Sequence, residues 1–151
     1  MITEHDYHVT VTGTGPKTGT LSAPKDHLPE MAFASPPEFG GPPHTWSPEH
    51  LFVASLATCL MTTFQAMAAN SGMEVLEYRD HPTGHLQQAD NGLYSIDRVV
   101  LRPTVVISAE SKIDRAHRLL DKAEHVCLIG RSVNSETILE ATVLQPHQVG
   151  T

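Results

Sequence analysis

The chain carries only two cysteines in 151 residues, Cys59 and Cys127. Two are too few for the disulfide framework of a small secreted domain, and they point to the reducing cytoplasm. Aromatic residues make up 5% of the chain, which leaves little surface for stacking on nucleobases. Basic residues are also scarce: Lys and Arg total 10 against 17 Asp and Glu, a formal net charge of −7. The cations are scattered, and most lie beyond residue 78. No basic patch marks a nucleic-acid surface, so no nucleic-acid partner is expected. The opening residues, MITEHDYHVTV, lack the basic segment and apolar run of a secretory signal. The length fits one domain, residues 1–151, able to bury a core of its own.

The longest absence is one of charge. From Leu51 to Met73 no Asp, Glu, Lys or Arg occurs, a stretch longer than the roughly 20 apolar residues that span a bilayer. Ser55, Thr58, Thr62, Thr63, Gln65 and Asn70 interrupt it, and many of the remaining residues are alanine. A helix of that kind, apolar on every side, belongs inside protein, and no membrane partner is expected. Its start is written before the apolar run begins. Ser47 is a good N-cap, Pro48 suits the first helical position and Glu49 complements the helix dipole. The helix is expected over about residues 48–70, with Gly72 ending it.

The flanking sequence reads mainly as strands. YHVTVTGT alternates bulky and polar residues, GPKTG is a turn, and TLSAP and LPEMAFA are short following strands. PPEFGGPPHTW (Pro36 to Trp46) is a loop by its proline and glycine content. EVLEYR and GHLQQ are expected as strands joined by a turn at His81 to Gly84. In DRVVLRPTVVISAE, read as one longer strand, Val99, Leu101, Val105 and Ile107 share a face opposite Arg98, Arg102 and Thr104. Ser111 is expected to cap a second helix along which Ile113, Ala116, Leu119, Leu120, Ala123 and Cys127 recur, with Gly130 just past its end. TILEATVL supplies a last strand. The order strands, helix, strands, helix, strand defines an α+β domain.

Ser-Pro-Glu at a helix start, a cysteine ten residues beyond the glutamate, and a second helix ending in HVCLIGRS together carry a resemblance. The chain resembles the OsmC/Ohr family, the osmotically inducible protein C and organic hydroperoxide resistance proteins. SPEHLFVASLATCL (Ser47 to Leu60) and the segment around Cys127 are its most specific parts. The resemblance implies an intertwined homodimer with antiparallel sheets packed around long central helices and two active sites at the interface. It implies thiol-dependent reduction of alkyl or fatty-acid hydroperoxides without a cofactor. Cys59 matches the peroxidatic thiol and Cys127 the resolving thiol, and the resemblance suggests a dithiol of the lipoyl type as reductant. Glu49 matches the family's glutamate. The family's arginine has no counterpart before Arg79; the comparable N-terminal turn offers Lys17, and Arg79, Arg98 and Arg131 are further candidates for the cation.

The residues set their own conditions on that chemistry. A thiol attacks peroxide as the thiolate, and an unperturbed thiol is only about 3% ionised at neutral pH. Burial disfavours the charged form further. The dipole of the first helix fades within its first turn, short of Cys59. A cation is therefore expected to stabilise the thiolate. Glu49 and Cys59 stand ten residues apart, about 15 Å along one straight helix, too far to share a site within a chain. Two such helices crossing antiparallel near Ala54 would bring each Glu49 to the other chain's Cys59. Glu49 would there orient the cation through a salt bridge rather than act as a base. By position alone Cys127 is equally a small hydrophobe on an apolar stripe.

Ten histidines occur, with His81 and His85 the closest pair in a turn, but their spacing forms no metal-ligand pattern and no metal site is expected. Trp46, Phe52, Met61 and Phe64 are candidates for an apolar mouth and equally for core. Two rivals to the peroxidase follow. One is a relative that binds a hydrophobic small molecule or senses oxidants through the same cysteines. The other is a structural dimer with inert thiols.

Overall fold

The computed structural model describes residues 2–150 and divides into two compact units, Met1–Leu51 and Phe52–Thr151. In the first, β1 (Thr10–Gly15), β2 (Thr18–Ala23) and β3 (Leu28–Ala34) form an antiparallel meander in that order. GPKTG makes the expected tight turn, with Gly15 opposite Thr18. The meander has little core of its own: β1 is exposed along its whole length, with Val11 at 65%, and β3 opens on Leu28, exposed at 59%. The Pro- and Gly-rich segment is a loop apart from one 3-10 turn, Pro37–Phe39.

Helix α1 (Pro48–Asn70) has the predicted limits. Ser47, fully buried, accepts the His50 N–H on its Oγ at 3.2 Å and the Leu51 N–H on its carbonyl at 3.0 Å, which satisfies two of the donors a helix start leaves free. Gly72, at φ +71°, ends the helix. The amides of Gly72 and Met73 turn back to the carbonyls of Ala69 and Ala68.

The second unit holds six short strands: β4 (Val75–Arg79), β5 (Thr83–Gln88), β6 (Tyr94–Leu101), β7 (Thr104–Ile107), β8 (Glu136–Leu139) and β9 (Thr142–Leu144). They form two three-stranded sheets, β4-β7-β9 and β5-β6-β8, in which the central strand pairs antiparallel on one side and parallel on the other. Three readings of the sequence are corrected. DRVVLRPTVVISAE is broken at Arg102–Pro103, TILEATVL is broken at Glu140–Ala141, and β4 and β5 do not pair with each other. Pro103 has no N–H to give the ladder, yet the break does not shift the register. Leu101 stands opposite Leu139 before it and Thr104 opposite Thr142 after it.

Arg102 holds the three chain segments together at this bend. Its peptide N–H donates to Asp80 Oδ1 at 2.7 Å, and its guanidinium donates to Glu140 Oε2 at 3.1 Å and to Thr83 Oγ1 at 2.8 Å. Burial raises the Asp80 carboxyl above its usual range, against the hydrogen bonds from the peptide groups of Arg102 and His81. Burial and the nearby Asp80 also push the Tyr78 phenol up.

Helix α2 (Ile113–Val126) starts later than expected, with Lys112 rather than Ser111 at the N-cap and no side-chain cap; the Ser111 hydroxyl bonds Ser108 instead. It also ends earlier. Cys127 is the C-cap, and Gly130 opens a separate 3-10 turn, Gly130–Ser132. Leu56, Leu60, Phe64 and Ala68 of α1, Ala116, Leu120 and Ala123 of α2, and Val99, Leu101, Val105 and Ile107 of the sheets form one buried cluster. The predicted strand face is therefore the core face. Each fully buried Leu, Val, Ile or Phe side chain contributes about 1.5–3 kcal/mol over leaving it in water.

Candidate active site

Cys59 sits mid-way along α1, and Cys127 caps the end of α2. The tertiary fold brings the two cysteines near enough that each thiol influences the ionisation of the other, while both remain free thiols. The turn that follows Cys127 lies beside the pair: the peptide groups of Ile129 and Leu128 favour ionisation of Cys59, and those of Gly130 and Ile129 favour ionisation of Cys127. The Thr63 hydroxyl, one helical turn beyond Cys59, lies 4.0 Å from its sulfur.

These contacts make the two thiols unequal. For Cys59, burial is the largest single influence and works against the thiolate. The Cys127 S–H, the Ile129 amide, the Thr63 hydroxyl and the Leu128 amide together outweigh it and hold its pKa below the usual thiol range. Cys127 is pushed up, first by burial and next by sharing its proton with Cys59. Besides the cation expected from the sequence, donors from the peptide backbone and from the second thiol act on Cys59, and backbone donors leave no mark in a sequence. The clue that was present is position: Thr63 follows Cys59 by four on one helix face, and Leu128 and Ile129 directly follow Cys127.

Glu49 occupies the first turn of α1, with Oε2 buried and without a hydrogen-bond partner among the described residues. Lys17, in the turn between β1 and β2, donates from its ammonium to the carbonyl of Phe39, and its own carbonyl accepts from Ser35 N at 2.9 Å. The Glu-Phe-Gly-Gly loop is thereby tied to the N-terminal turn. Gly41 is required there, since a Cβ on it would fall 1.6 Å from the Ser35 carbonyl oxygen.

The other candidate cations are placed elsewhere. Arg79 pairs with Glu77 at 3.2 Å and Arg98 with Asp97 at 3.3 Å, both on strands. Arg131 is exposed in the turn after Cys127, where its N–H donates to the Cys127 carbonyl at 3.0 Å. His85 does have a carboxylate partner, Asp97 at 2.8 Å across the β5–β6 pair. Among the described residues no group of three or more His, Cys, Asp or Glu could hold a metal ion. Phe64 is core, stacked at a tilt on Tyr78. Phe52 borders an open cavity of about 690 Å³ with Ile96, Asp97 and Val133. Trp46, half-exposed, borders another, of about 450 Å³, with His44, His50 and Pro43.

Comparison with known proteins places the fold. Residues 41–142 match the family model described as OsmC-like protein. The uncharacterized protein YmaD of Bacillus subtilis is 32% identical over 117 residues, which cover 74% of this chain and 77% of YmaD. An OsmC-like protein of unknown function from Vibrio cholerae superposes with a TM-score of 0.84 at 26% identity, over 91% of this chain and 99% of that one. An organic hydroperoxide resistance protein from Elizabethkingia anophelis shares the fold, with a TM-score of 0.74 at 22% identity over 96% and 99% of the two chains.

Proposed function

The chain belongs to the OsmC-like protein family, and from that premise we propose that it is a thiol-dependent peroxidase of organic hydroperoxides. The observation that carries the reading is the placement of two free thiols, Cys59 mid-way along α1 with the Thr63 hydroxyl beside it and Cys127 at the end of α2, near enough to act on each other's ionisation. The Cys59 thiolate attacks the terminal oxygen of ROOH and the O–O bond breaks. The alkoxide leaves and takes up a proton as ROH, and Cys59 becomes a sulfenic acid. Cys127 then attacks that sulfur, water departs, and a Cys59–Cys127 disulfide forms. A dithiol reductant of the lipoyl type returns both thiols and is itself oxidised to a disulfide.

The working unit is an intertwined homodimer in which each chain, residues 1–151, acts as one OsmC-like domain. Three observations support it. The apolar α1 buries one stripe, the β1–β3 meander exposes Val9, Val11 and Leu28, and Glu49 Oε2 is buried without a partner among the described residues. Glu49 of each protomer approaches Cys59 of the other and orients the site's cation. Lys17 is that cation; as a point charge it lacks the bidentate fork of an arginine.

Consumption of cumene hydroperoxide and of hydrogen peroxide, with excess dihydrolipoamide, tests the reading on wild-type and Cys59→Ser protein. Turnover that prefers the organic peroxide and vanishes in the variant is expected. Folded, dimeric protein that gives no turnover above the variant with several dithiols would overturn it in favour of the binding or sensing relative.

A further inference from the structure

The hydroxyl groups of α1 divide into two kinds. Ser55 donates to the Phe52 carbonyl at 2.7 Å, Thr58 to Ala54 at 2.8 Å, and Thr62 to Thr58 at 3.1 Å and Cys59 at 3.2 Å. Each bonds back to its own helix, the usual way a hydroxyl satisfies itself mid-helix. Thr63 differs, because its hydroxyl faces the Cys59 sulfur. A threonine in a helix divides its χ1 between rotamers according to what its oxygen can reach, and here the oxygen reaches a thiol.

We propose that Thr63 is a further catalytic residue, its hydroxyl donating to the Cys59 sulfur and aiming one lone pair of that sulfur away from the helix toward the peroxide. The proposal rests on the peroxidase reading for its chemistry but on the Thr63–Cys59 contact for its geometry. Thr63 supplies the side-chain donor from α1, while the amides of Leu128 and Ile129 supply donors from the turn after α2. Of the titratable groups, Cys127 lies beside Cys59 from the end of α2, and in the proposed dimer Glu49 of the second protomer and the Lys17 ammonium face it. None of the three is substituted when Thr63 is replaced. A hydrogen bond to an ionised group is stronger than one to a neutral group, so the Thr63 hydroxyl favours the thiolate over the thiol.

The test is the pH profile of Cys59 alkylation by iodoacetamide, with the modified cysteine identified by peptide mass spectrometry. Thr63→Val keeps the shape and removes the donor. It is expected to slow Cys59 alkylation at neutral pH roughly three- to tenfold, as loss of one modest hydrogen bond implies, with the midpoint of the profile moved up. Thr63→Ser is expected to restore the wild-type profile. Thr62→Val, which loses a back-bonded hydroxyl instead, is expected to leave it in place. A Thr63→Val profile that superposes on wild type would overturn the proposal, and so would a Thr63→Ser variant that fails to rescue, since the methyl group would then be what matters. If Thr63→Val does not fold by circular dichroism, Thr63→Ala is read the same way. Turnover is scored separately. An alkylation shift in a protein without peroxidase turnover upholds the Thr63 contact and removes only the peroxidase reading. Turnover with no alkylation shift removes only the role of Thr63.

Discussion

Helices α1 and α2 contribute to the same core and treat their remaining surfaces in opposite ways. α2 buries Ala116, Leu120 and Ala123 and turns Asp114, Arg115, Arg118, Asp121 and Lys122 to solvent. α1 buries a stripe of the same kind, Leu56, Leu60, Phe64 and Ala68, but the rest of it is also apolar, with a mean hydropathy of 1.6. By length and composition it is apolar enough to cross a membrane. Core packing in this unit needs only one apolar stripe per helix. The apolar surplus of α1 exceeds what this packing uses, and in the proposed dimer it meets a second α1. The contrast also separates the two thiols. Cys59 lies on the helix with the surplus, half-buried, and Cys127 lies fully buried where the amphipathic helix stops.

The comparison can be broken most forcefully through the buried stripes. Phe64→Ala is expected to cost about 3–5 kcal/mol and Leu120→Ala about 2–5 kcal/mol in urea unfolding. A loss below about 1 kcal/mol at Phe64 would mean that the stripe is not the packed side of α1. Ala54→Arg, on the surplus side, is expected to convert dimer to monomer in analytical ultracentrifugation, whereas Lys122→Glu on the solvent face of α2 leaves the assembly unchanged. Equal sedimentation of the two variants would remove the distinction between the helices.

The thiols give a gentler test. Cys59 alkylation is expected to rise to its plateau below the usual thiol value of about 8.5 and that of Cys127 above it. Ionisation rises with pH, so the lowered group reacts first. Cys127→Ala takes away the S–H donor and is expected to move the Cys59 midpoint upward. The smallest effect is expected at the sheet bend beneath both helices. Arg102→Met loses an ion pair to Glu140 that is partly exposed, a change of about 1 kcal/mol or less.

Much of this was legible from residue spacing. The limits of α1, the Ser47 cap, the stop at Gly72 and the core face Val99, Leu101, Val105 and Ile107 all follow from local periodicity and capping. Pro103 was in plain view, yet the strand through it was read as continuous because the apolar alternation resumes in phase on its far side. The parallel partners β8 and β9 could not be foreseen, since strand pairing across a helical crossover leaves no local mark. Cys127 was ambiguous for a related reason: the stripe that makes it look like core is also what brings it to α1.

By itself the sequence determined the helical segments, their apolar faces and the presence of one thiol on each. Those properties depend on residues within a turn or two of one another. Only the tertiary structure decided that the end of α2 comes to Cys59, so that Cys127, Leu128 and Ile129 bear on its ionisation. Ionisation of a thiol depends on the donors within a few ångströms of it. Those donors come from segments far apart in sequence, which only packing of the whole core brings together.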